Sequence, residues 1–347
     1  MLKDTRRPPW GLCRAGLRLM AAVVLRALWV RAEEPSAFTL GARLGMREVW
    51  ERCDAGAWEA ETRLRMEMSA AARVSEALEA KIAFGTGAEG APANAEMTWG
   101  ERVEDRPLRL RVAQIEWTPW PQPPALQVRA GKLEMPFLRP SRLVWDEDVR
   151  PEGGVARWRR AGHTLDAFGL IGVFQLAHEA GKERRTLFAA QTGVRNRWPD
   201  RHWMMAGAGV YDVDGTAEDS ALRPFEAFGA IGLELYFPVQ GVLHIAANPK
   251  ADRAHTAWLT GLSLGRTRAV YGIELSAEWL RIERQALVPA FTDDSYGAGT
   301  DRQERRLTVR GRLSRNLLAA VILSRERAPL SSNTGAWRIG LEIQADL

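Results

Sequence analysis

Hydrophobic and polar residues alternate with a period of two from residue 38 onward. Residues 38–47 place Phe, Leu, Ala, Leu and Met on one face and Thr, Gly, Arg, Gly and Arg on the other. Residues 58–70 and 337–347 repeat this pattern, as do several segments between them. A period of two is typical of β-strands with one apolar face, whereas an amphipathic helix has a period near 3.6. The pattern therefore predicts an all-β chain.

The predicted strands are longer than usual. Many of them alternate over ten residues or more, whereas an ordinary strand has about 5–6 residues and a tilted strand needs about 9–11 to cross a bilayer. The count is roughly sixteen, and two short segments leave fourteen or eighteen open. The predicted spans are 38–48, 57–71, 74–85, 106–117, 124–132, 153–161, 164–176, 185–196, 202–212, 227–237, 240–247, 256–265, 269–284, 305–314, 316–327 and 336–347.

One predicted strand changes phase. In residues 106–117, Leu108, Leu110 and Val112 share one parity, but the next apolar residues, from Ala113 to Trp117, have the other. A β-bulge inserts one extra residue and shifts the side chains that follow to the opposite face. A bulge is therefore predicted within this strand.

The lengths of the connections alternate along the chain. The long ones, which include 86–105, 133–152, 213–226 and 285–304, are all odd-numbered when counted from the first strand, and the even-numbered ones are short. A soluble β-sandwich gives no reason for this sorting, whereas an outer-membrane barrel has short periplasmic turns and long outer loops. The predicted fold is a transmembrane antiparallel up-and-down β-barrel of about sixteen strands, in residues 33–347.

The polar face of the predicted barrel is rich in arginine. About sixteen strands enclose an aqueous channel, and a dry interior could not hold many guanidinium groups without partners. Tryptophans near the strand ends are expected to form aromatic girdles at the lipid headgroups; they are Trp58, Trp117, Trp158, Trp203, Trp258, Trp279 and Trp337. The predicted pore-lining residues are Arg43, Arg63, Arg65, Arg109, Arg111, Arg129, Arg157 and Arg159.

The first 32 residues form a unit of their own. They hold seven Lys or Arg and one acid, which leaves 41 basic and 42 acidic residues in 33–347. The basic excess is therefore local, and nucleic acid is not an expected partner. Basic residues followed by the apolar run Leu19–Val30 are typical of a secretory signal peptide, and an amphipathic helix is the alternative. The two cysteines, Cys13 and Cys53, provide no disulfide scaffold.

The sequence offers no catalytic or metal-binding pattern. The five histidines lack HxxxH and HExxH spacing, and no GxSxG is present. Asp293, Asp294 and Asp301 do not fit the EF-hand pattern. Neither an enzymatic activity nor a metal or cofactor is predicted.

Two segments carry a resemblance to a known family. The stretch Gly131-Lys132-Leu-Glu-Met-Pro136-Phe137, and then Trp145-Asp146-Glu-Asp148-Val-Arg-Pro151-Glu152-Gly153, resembles the "GK…PF" and "WD.D..PEG" segments of the Putative porin family of Gram-negative bacteria. The resemblance implies an outer-membrane barrel with a pore role and no catalytic residues. Family members often have a helical stretch before the barrel, and many outer-membrane proteins end in an aromatic residue. This chain shows neither feature.

Loop 133–152 is the candidate constriction. It follows the fifth predicted strand, and sixteen-stranded porins commonly fold the loop at this place into the channel. Its acids would then oppose the inward arginines and set ion preference; the alternative is a solvated loop outside the barrel. The acids of the predicted constriction are Asp146, Glu147, Asp148 and Glu152.

The predicted function is passive diffusion of small hydrophilic solutes and ions through an outer-membrane channel. The alternative is a barrel with a structural or adhesive role through its surface loops. The expected partners are the lipid bilayer of the outer membrane and the small solutes themselves. By analogy with general porins, a homotrimer is also expected.

Overall fold

The computed structural model describes residues 38–54, 56–87, 96–98, 108–120, 122, 125–176, 185–214, 222–292, 299–330 and 335–346. The predicted signal peptide, residues 1–32, lies outside the described residues. No helix in the described ranges is long and apolar enough to cross a membrane.

Seventeen strands make up a single sheet in the described part of the chain. They are β1 (Phe38–Cys53), β2 (Glu59–Ser75), β3 (Leu78–Gly85), β4 (Met97–Thr98), β5 (Arg109–Trp120), β6 (Ala125–Lys132), β7 (Glu152–Arg160), β8 (Leu165–Leu176), β9 (Arg185–Arg197), β10 (Trp203–Asp214), β11 (Phe225–Glu234), β12 (Pro238–Ala247), β13 (Thr256–Gly265), β14 (Ile273–Ile282), β15 (Arg302–Arg312), β16 (Leu317–Arg327) and β17 (Ala336–Asp346).

The sheet closes on itself. Each long strand pairs antiparallel with its neighbours, and β17 pairs with β1 from Arg43 opposite Asp346 to Cys53 opposite Ala336. The short β4 pairs with β2 beyond the end of β3, so that sixteen strands form the wall. Closure satisfies the backbone groups of every strand, which the interior of a bilayer requires. The predicted fold, a closed antiparallel all-β barrel of sixteen strands, is confirmed.

Apolar side chains cover the outer face of the wall. Alternate residues of each strand point outward, and many of these large apolar side chains are exposed, for example Ile171 at 66% and Leu243 at 55%. Their neighbours along the strand point into the barrel and include Leu170 and His244, which are 6% and 1% exposed. This alternation is the period of two seen in the sequence.

The predicted bulge is present in β5. Ala83 of β3 pairs with Val112, and the next residue, Phe84, pairs with Leu110. Arg111 therefore has no partner in β3 and is the extra residue of the bulge. As a result both Arg111 and Val112 are buried, at 7% and 1% exposure. The phase change predicted from the sequence is confirmed.

The long connections begin and finish at the same end of the barrel. The connections 86–108, 133–151 and 283–301 follow strands that run in the same direction, and the turns at the other end include 76–77 and 235–237. A 3-10 helix, Pro289–Phe291, lies within the connection between β14 and β15. Long and short connections are thus sorted to opposite ends, as in an outer-membrane barrel.

Candidate functional site

The connection between β6 and β7, which we call segment 133–151, lies inside the barrel. A backbone hydrogen bond from Leu133 N to Pro151 O, 2.8 Å long, joins its two ends. From there its residues contact inward-facing side chains of distant strands, which are Lys81 of β3, Gln114 of β5, Gln191 of β9, His244 of β12 and Glu278 of β14. The segment therefore crosses the lumen from β6 toward β14.

A buried polar network holds the middle of the segment. Leu138 N donates to Gln191 Oε1 at 2.8 Å, and Gln191 Nε2 donates back to Leu138 O at 2.9 Å. Gln191 also donates to Glu226, which accepts a second hydrogen bond from the Tyr211 hydroxyl. Because every member is satisfied, the network can be buried without the cost of orphaned polar groups.

Ser141, His244 and Glu226 form a chain of hydrogen bonds. Ser141 Oγ lies 2.8 Å from His244 Nδ1, and His244 Nε2 lies 2.9 Å from Glu226 Oε2. The three residue types are those of a hydrolase triad. However, His244 is 1% exposed and Glu226 is 4% exposed, and both are bonded to other parts of the wall or the segment. The chain of hydrogen bonds anchors segment 133–151 to the wall.

Aromatic rings also hold segment 133–151 against the wall, on the side of β8 to β14. Trp145 stacks on Phe137 with ring centroids 4.8 Å apart and on Phe291 at 5.0 Å. Tyr211 meets both Phe137 and Trp145 edge-on, at 5.3 and 5.1 Å. Stacked and edge-to-face pairs of this kind are each worth about 0.5–1.5 kcal/mol beyond the area they bury. The rings belong to an apolar cluster that fills the lumen beside β8 to β14.

Arg142 ties the far end of the segment to β14 and β15. Its Nε donates to Glu278 Oε2 at 2.8 Å and its NH1 donates to Glu304 Oε2 at 3.0 Å. Glu304 is fully buried and also contacts Arg306 at 2.8 Å. Charged hydrogen bonds contribute about 1.5–3 kcal/mol each, so this contact is a strong anchor.

Asp148 joins the segment to two of the predicted pore-lining arginines. Its Oδ1 lies 2.5 Å from NH2 of Arg65, and NH2 of Arg111 donates to the backbone oxygen of Asp148 at 3.0 Å. Glu147 approaches Arg65 at 3.3 Å and remains 57% exposed. Burial raises the pKa of the Asp148 carboxyl above its ordinary value, even though Arg65 and Arg111 act in the opposite direction.

A second group of charges lies beside the first, on β1 and β2. Arg47 contacts Glu96 at 2.9 Å and Glu342 of β17 at 2.6 Å. Arg63 contacts Glu96 at 3.6 Å. Glu96 precedes β4 in the connection between β3 and β5, and burial raises its pKa despite the nearby Arg47 and Arg63. Two connections therefore bring carboxylates to the arginines of β1 and β2.

The other predicted arginines are spread over the inner wall. Arg43 pairs with Asp346 at 2.9 Å near the end of the barrel that carries the short turns, and Arg129 pairs with Glu116 at 2.7 Å. Arg109 begins β5, next to the bulge, and Arg157 and Arg159 occupy inward positions of β7. In the described ranges, Arg63 contacts Glu96, and Arg65 and Arg111 contact Asp148, so three of the predicted arginines meet carboxylates of the two connections.

Two of the four predicted acids have other contacts. Asp146 is 2% exposed, and its Oδ1 accepts the backbone N–H of Asp148 at 2.6 Å within the segment. Glu152 is the first residue of β7, where it lies opposite Lys132 with a 3.2 Å contact. By alternation Glu152 shares the outer face of β7 with Trp158. Glu147 and Asp148 contact Arg65 of β2, and Asp148 also contacts Arg111 of β5.

Sequence reasoning missed several residues of the site. Glu96 lies in a connection that has no alternating pattern, so nothing marked it. The inward apolar residues of β8 to β14 resemble lipid-facing residues in an alternating pattern. Trp203, expected in a girdle, points inward, because its ring lies over Gly232 and beside Arg195. The described residues contain no group of His, Cys, Asp or Glu that could hold a metal.

A closed sixteen-stranded wall with an apolar outer face and charges inside defines an outer-membrane β-barrel of the porin class. Comparison with family models identifies the family. The model of the family described as Putative porin matches residues 47–227, just over half of the chain. The chain belongs to the Putative porin family, and its role is that of an outer-membrane channel. No curated protein matches the sequence.

Solved porin structures share the fold. The high-pH structure of Pseudomonas putida OprB has a TM-score of 0.62 and 12% identity, with 90% of this chain and 94% of that chain covered. Salmonella typhi OmpF in complex with daunomycin has a TM-score of 0.53 and 11% identity, over 88% and 97% of the two chains. A loop L8 deletion mutant of Vibrio cholerae OmpT has a TM-score of 0.51 and 9% identity, over 90% and 100%. At these identities the likeness concerns the fold alone.

Proposed function

We propose that the protein passes small hydrophilic solutes and ions by diffusion, and that segment 133–151 and Glu96 narrow its channel. The observation that carries the proposal is the contact of Asp148 with Arg65 and Arg111, 2.5 and 3.4 Å from its carboxylate. Charged groups that face one another across a narrow opening set ion preference and orient polar solutes.

The passage would run beside β15, β16, β17, β1 and β2. Segment 133–151 fills the side of β8 to β14 with apolar residues and with polar groups that already bond to one another. The opposite side presents Arg47, Arg63 and Arg65 together with Glu96 and Glu342. Ions and solutes that cross here would exchange part of their hydration for these charges, as in other channels lined by charged side chains.

Neutralisation of the segment's acids tests the constriction. The double variant Glu147→Gln/Asp148→Asn removes two negative charges next to Arg65 and Arg111, so that the positive charges of these arginines act more strongly on passing ions. One charge changes the energy of a monovalent ion 4 Å away by about 1 kcal/mol even in bulk water. The anion-to-cation permeability ratio should therefore rise several-fold, measured as the reversal potential in a salt gradient across a planar bilayer.

A matched control comes from the same stretch of sequence. Glu152→Gln removes a nearby carboxylate that lies on the outer face, so the reversal potential should stay at the wild-type value. Equal reversal potentials for the double variant and for Glu152→Gln would refute the constriction. A refolded wild-type protein that gives no conductance would instead favour the structural or adhesive role.

We also propose that the protein forms a homotrimer through the outer face of β1 and β2. Glu48 and Thr62 lie opposite each other on this face, hydrogen-bonded, at the level of Leu341. A carboxylate that faces hydrocarbon is costly, and a neighbouring copy of the chain would cover it. Analytical ultracentrifugation of the protein in detergent should show three chains per particle, and Glu48→Arg should shift the particle to monomers.

A further inference from the structure

A row of aromatic and basic side chains crosses the outer face at the end that carries the long connections. The strand registers place Trp279 of β14 opposite Arg305 of β15, Arg305 opposite Arg325 of β16, and Arg325 opposite Trp337 of β17. All four side chains are exposed, with Trp279 at 42% and Trp337 at 38%. We call these four residues the Arg/Trp row.

The two arginines of the row lie directly opposite each other without a negative partner. Like charges in directly opposed cross-strand positions destabilise a sheet. No carboxylate in the described part of the chain forms an ion pair with Arg305 or Arg325, although many inward arginines have such partners. Arg327, two residues further along β16, adds a third exposed positive charge toward the long connections. The row therefore presents concentrated, uncompensated positive charge.

The tryptophans hold the arginines in place. The guanidinium carbon of Arg305 lies 5.2 Å from the ring centre of Trp279, and that of Arg325 lies 5.1 Å from the ring centre of Trp337. Cation–π contacts at this distance restrict the side chains and leave the N–H groups of each guanidinium free to bind an anion. The two guanidinium groups are thus presented side by side between two rings.

An apolar groove continues from the row toward the middle of the membrane. It has a volume of about 640 Å³ and includes Leu262, Leu307 and Leu323 together with the four residues of the row. Leu307 and Leu323 are exposed, at 43% and 40%. A ligand that fits the whole feature has a negatively charged head and hydrocarbon chains, which is the composition of a membrane lipid.

We propose that the Arg/Trp row binds a phosphate-bearing lipid of the outer leaflet, with a phosphate between Arg305 and Arg325 and an acyl chain over Leu307 and Leu323. The inference rests on the outer-membrane orientation, in which the long connections face outward. Planar guanidinium groups are well suited to phosphate oxygens because they offer paired N–H donors. The site lies on the outside of the wall and is separate from the channel.

The test measures lipid binding to the purified protein in detergent by native mass spectrometry. Diphosphorylated lipid A is the probe, and dephosphorylated lipid A and phosphatidylcholine are the comparisons. The diphosphorylated lipid should bind at least about tenfold more tightly than either comparison, and Arg305→Gln/Arg325→Gln should lose this preference. Arg160→Gln is the matched control, because Arg160 is also outward and exposed but lies at the opposite end of the barrel.

Several outcomes would overturn the proposal. Equal binding of the phosphorylated and dephosphorylated lipids would do so, as would full retention of binding by the double glutamine variant. Complete displacement of the lipid by millimolar inorganic phosphate would identify a site for the free ion instead. If the glutamine variant fails to fold, the variant Arg305→Lys/Arg325→Lys serves instead, because it keeps the charges. It should bind diphosphorylated lipid A more weakly than wild type does, but still more tightly than it binds phosphatidylcholine. Conductance should not change in any of these variants, so a failure here is distinguishable from a failure of the channel proposal.

Discussion

Replacement of Trp145 by alanine should release segment 133–151 from the wall. Trp145 is 3% exposed and stacks between Phe137 and Phe291. Truncation of a buried Trp or Phe to Ala costs about 3–5 kcal/mol, which includes the cavity left behind. The aromatic contacts account for about 0.5–1.5 kcal/mol per pair within that total. The free energy of unfolding should therefore fall by about 3–5 kcal/mol. The loss cannot exceed the free energy with which the segment packs against the wall, because a released segment has no more of that energy to lose.

Two measurements check this effect. Urea unfolding in lipid vesicles, followed by circular dichroism, gives the free energy of unfolding, and single-channel recording reports the position of the segment. If the segment narrows the channel, Trp145→Ala should raise the conductance and its fluctuations, because the segment would visit positions away from β8 to β14. The strand ladder should stay intact, since Trp145 takes no part in it.

Trp158→Ala is the matched control. Trp158 lies on the outer face of β7 and is 40% exposed, so its loss should cost about 1 kcal/mol or less and leave the conductance unchanged. If Trp145→Ala and Trp158→Ala had the same free energy of unfolding and both conducted like wild type, the stack would not hold the segment.

The remaining predictions concern charge. Because burial raises the pKa of Asp148, its negative charge should be lost at a higher pH than for an ordinary aspartate, whose pKa is about 3.9. As the pH falls, the reversal potential should thus shift toward anion preference at a higher pH than an ordinary aspartate would give. The variant Asp148→Asn should lack this shift. Arg142→Gln removes the charged hydrogen bonds to Glu278 and to the buried Glu304. It should lower the free energy of unfolding by about 3 kcal/mol, and Arg142→Lys by less; equal values for the two variants would show that charge does not matter there.

Much of the wall could be predicted because its determinants are local. Alternation identifies a strand with one lipid face from its own residues, and the phase change in residues 106–117 predicts a bulge within that strand, which the structure places at Arg111. The lengths of the connections gave the orientation of the strands. None of these inferences requires knowledge of which residues meet across the barrel.

The interior could be predicted less well because it depends on how segment 133–151 folds. Asp146, Glu147 and Asp148 are chemically similar neighbours, yet the first accepts a backbone hydrogen bond within the segment and the other two contact arginines. Glu152 comes only four residues after Asp148, but it is the first residue of β7 and therefore belongs to the wall and not to the segment. Which carboxylate faces the lumen is therefore set by backbone conformation, which composition does not reveal.

The apolar residues of segment 133–151 and those of the inner wall explain each other. An outer loop in water has no reason to carry Phe137, Leu143 and Trp145, and strands that line an aqueous channel have no reason to point Phe174 and Leu280 inward. All five are buried, at 5% exposure or less, in one cluster. Each set buries the other, so together they fix the segment inside the barrel and leave its charged edge toward β1 and β2. Conversely, a family member that lacked the apolar residues in the segment should also lack them on the inner face of β8 to β14, because either set alone would expose a hydrophobic surface to water.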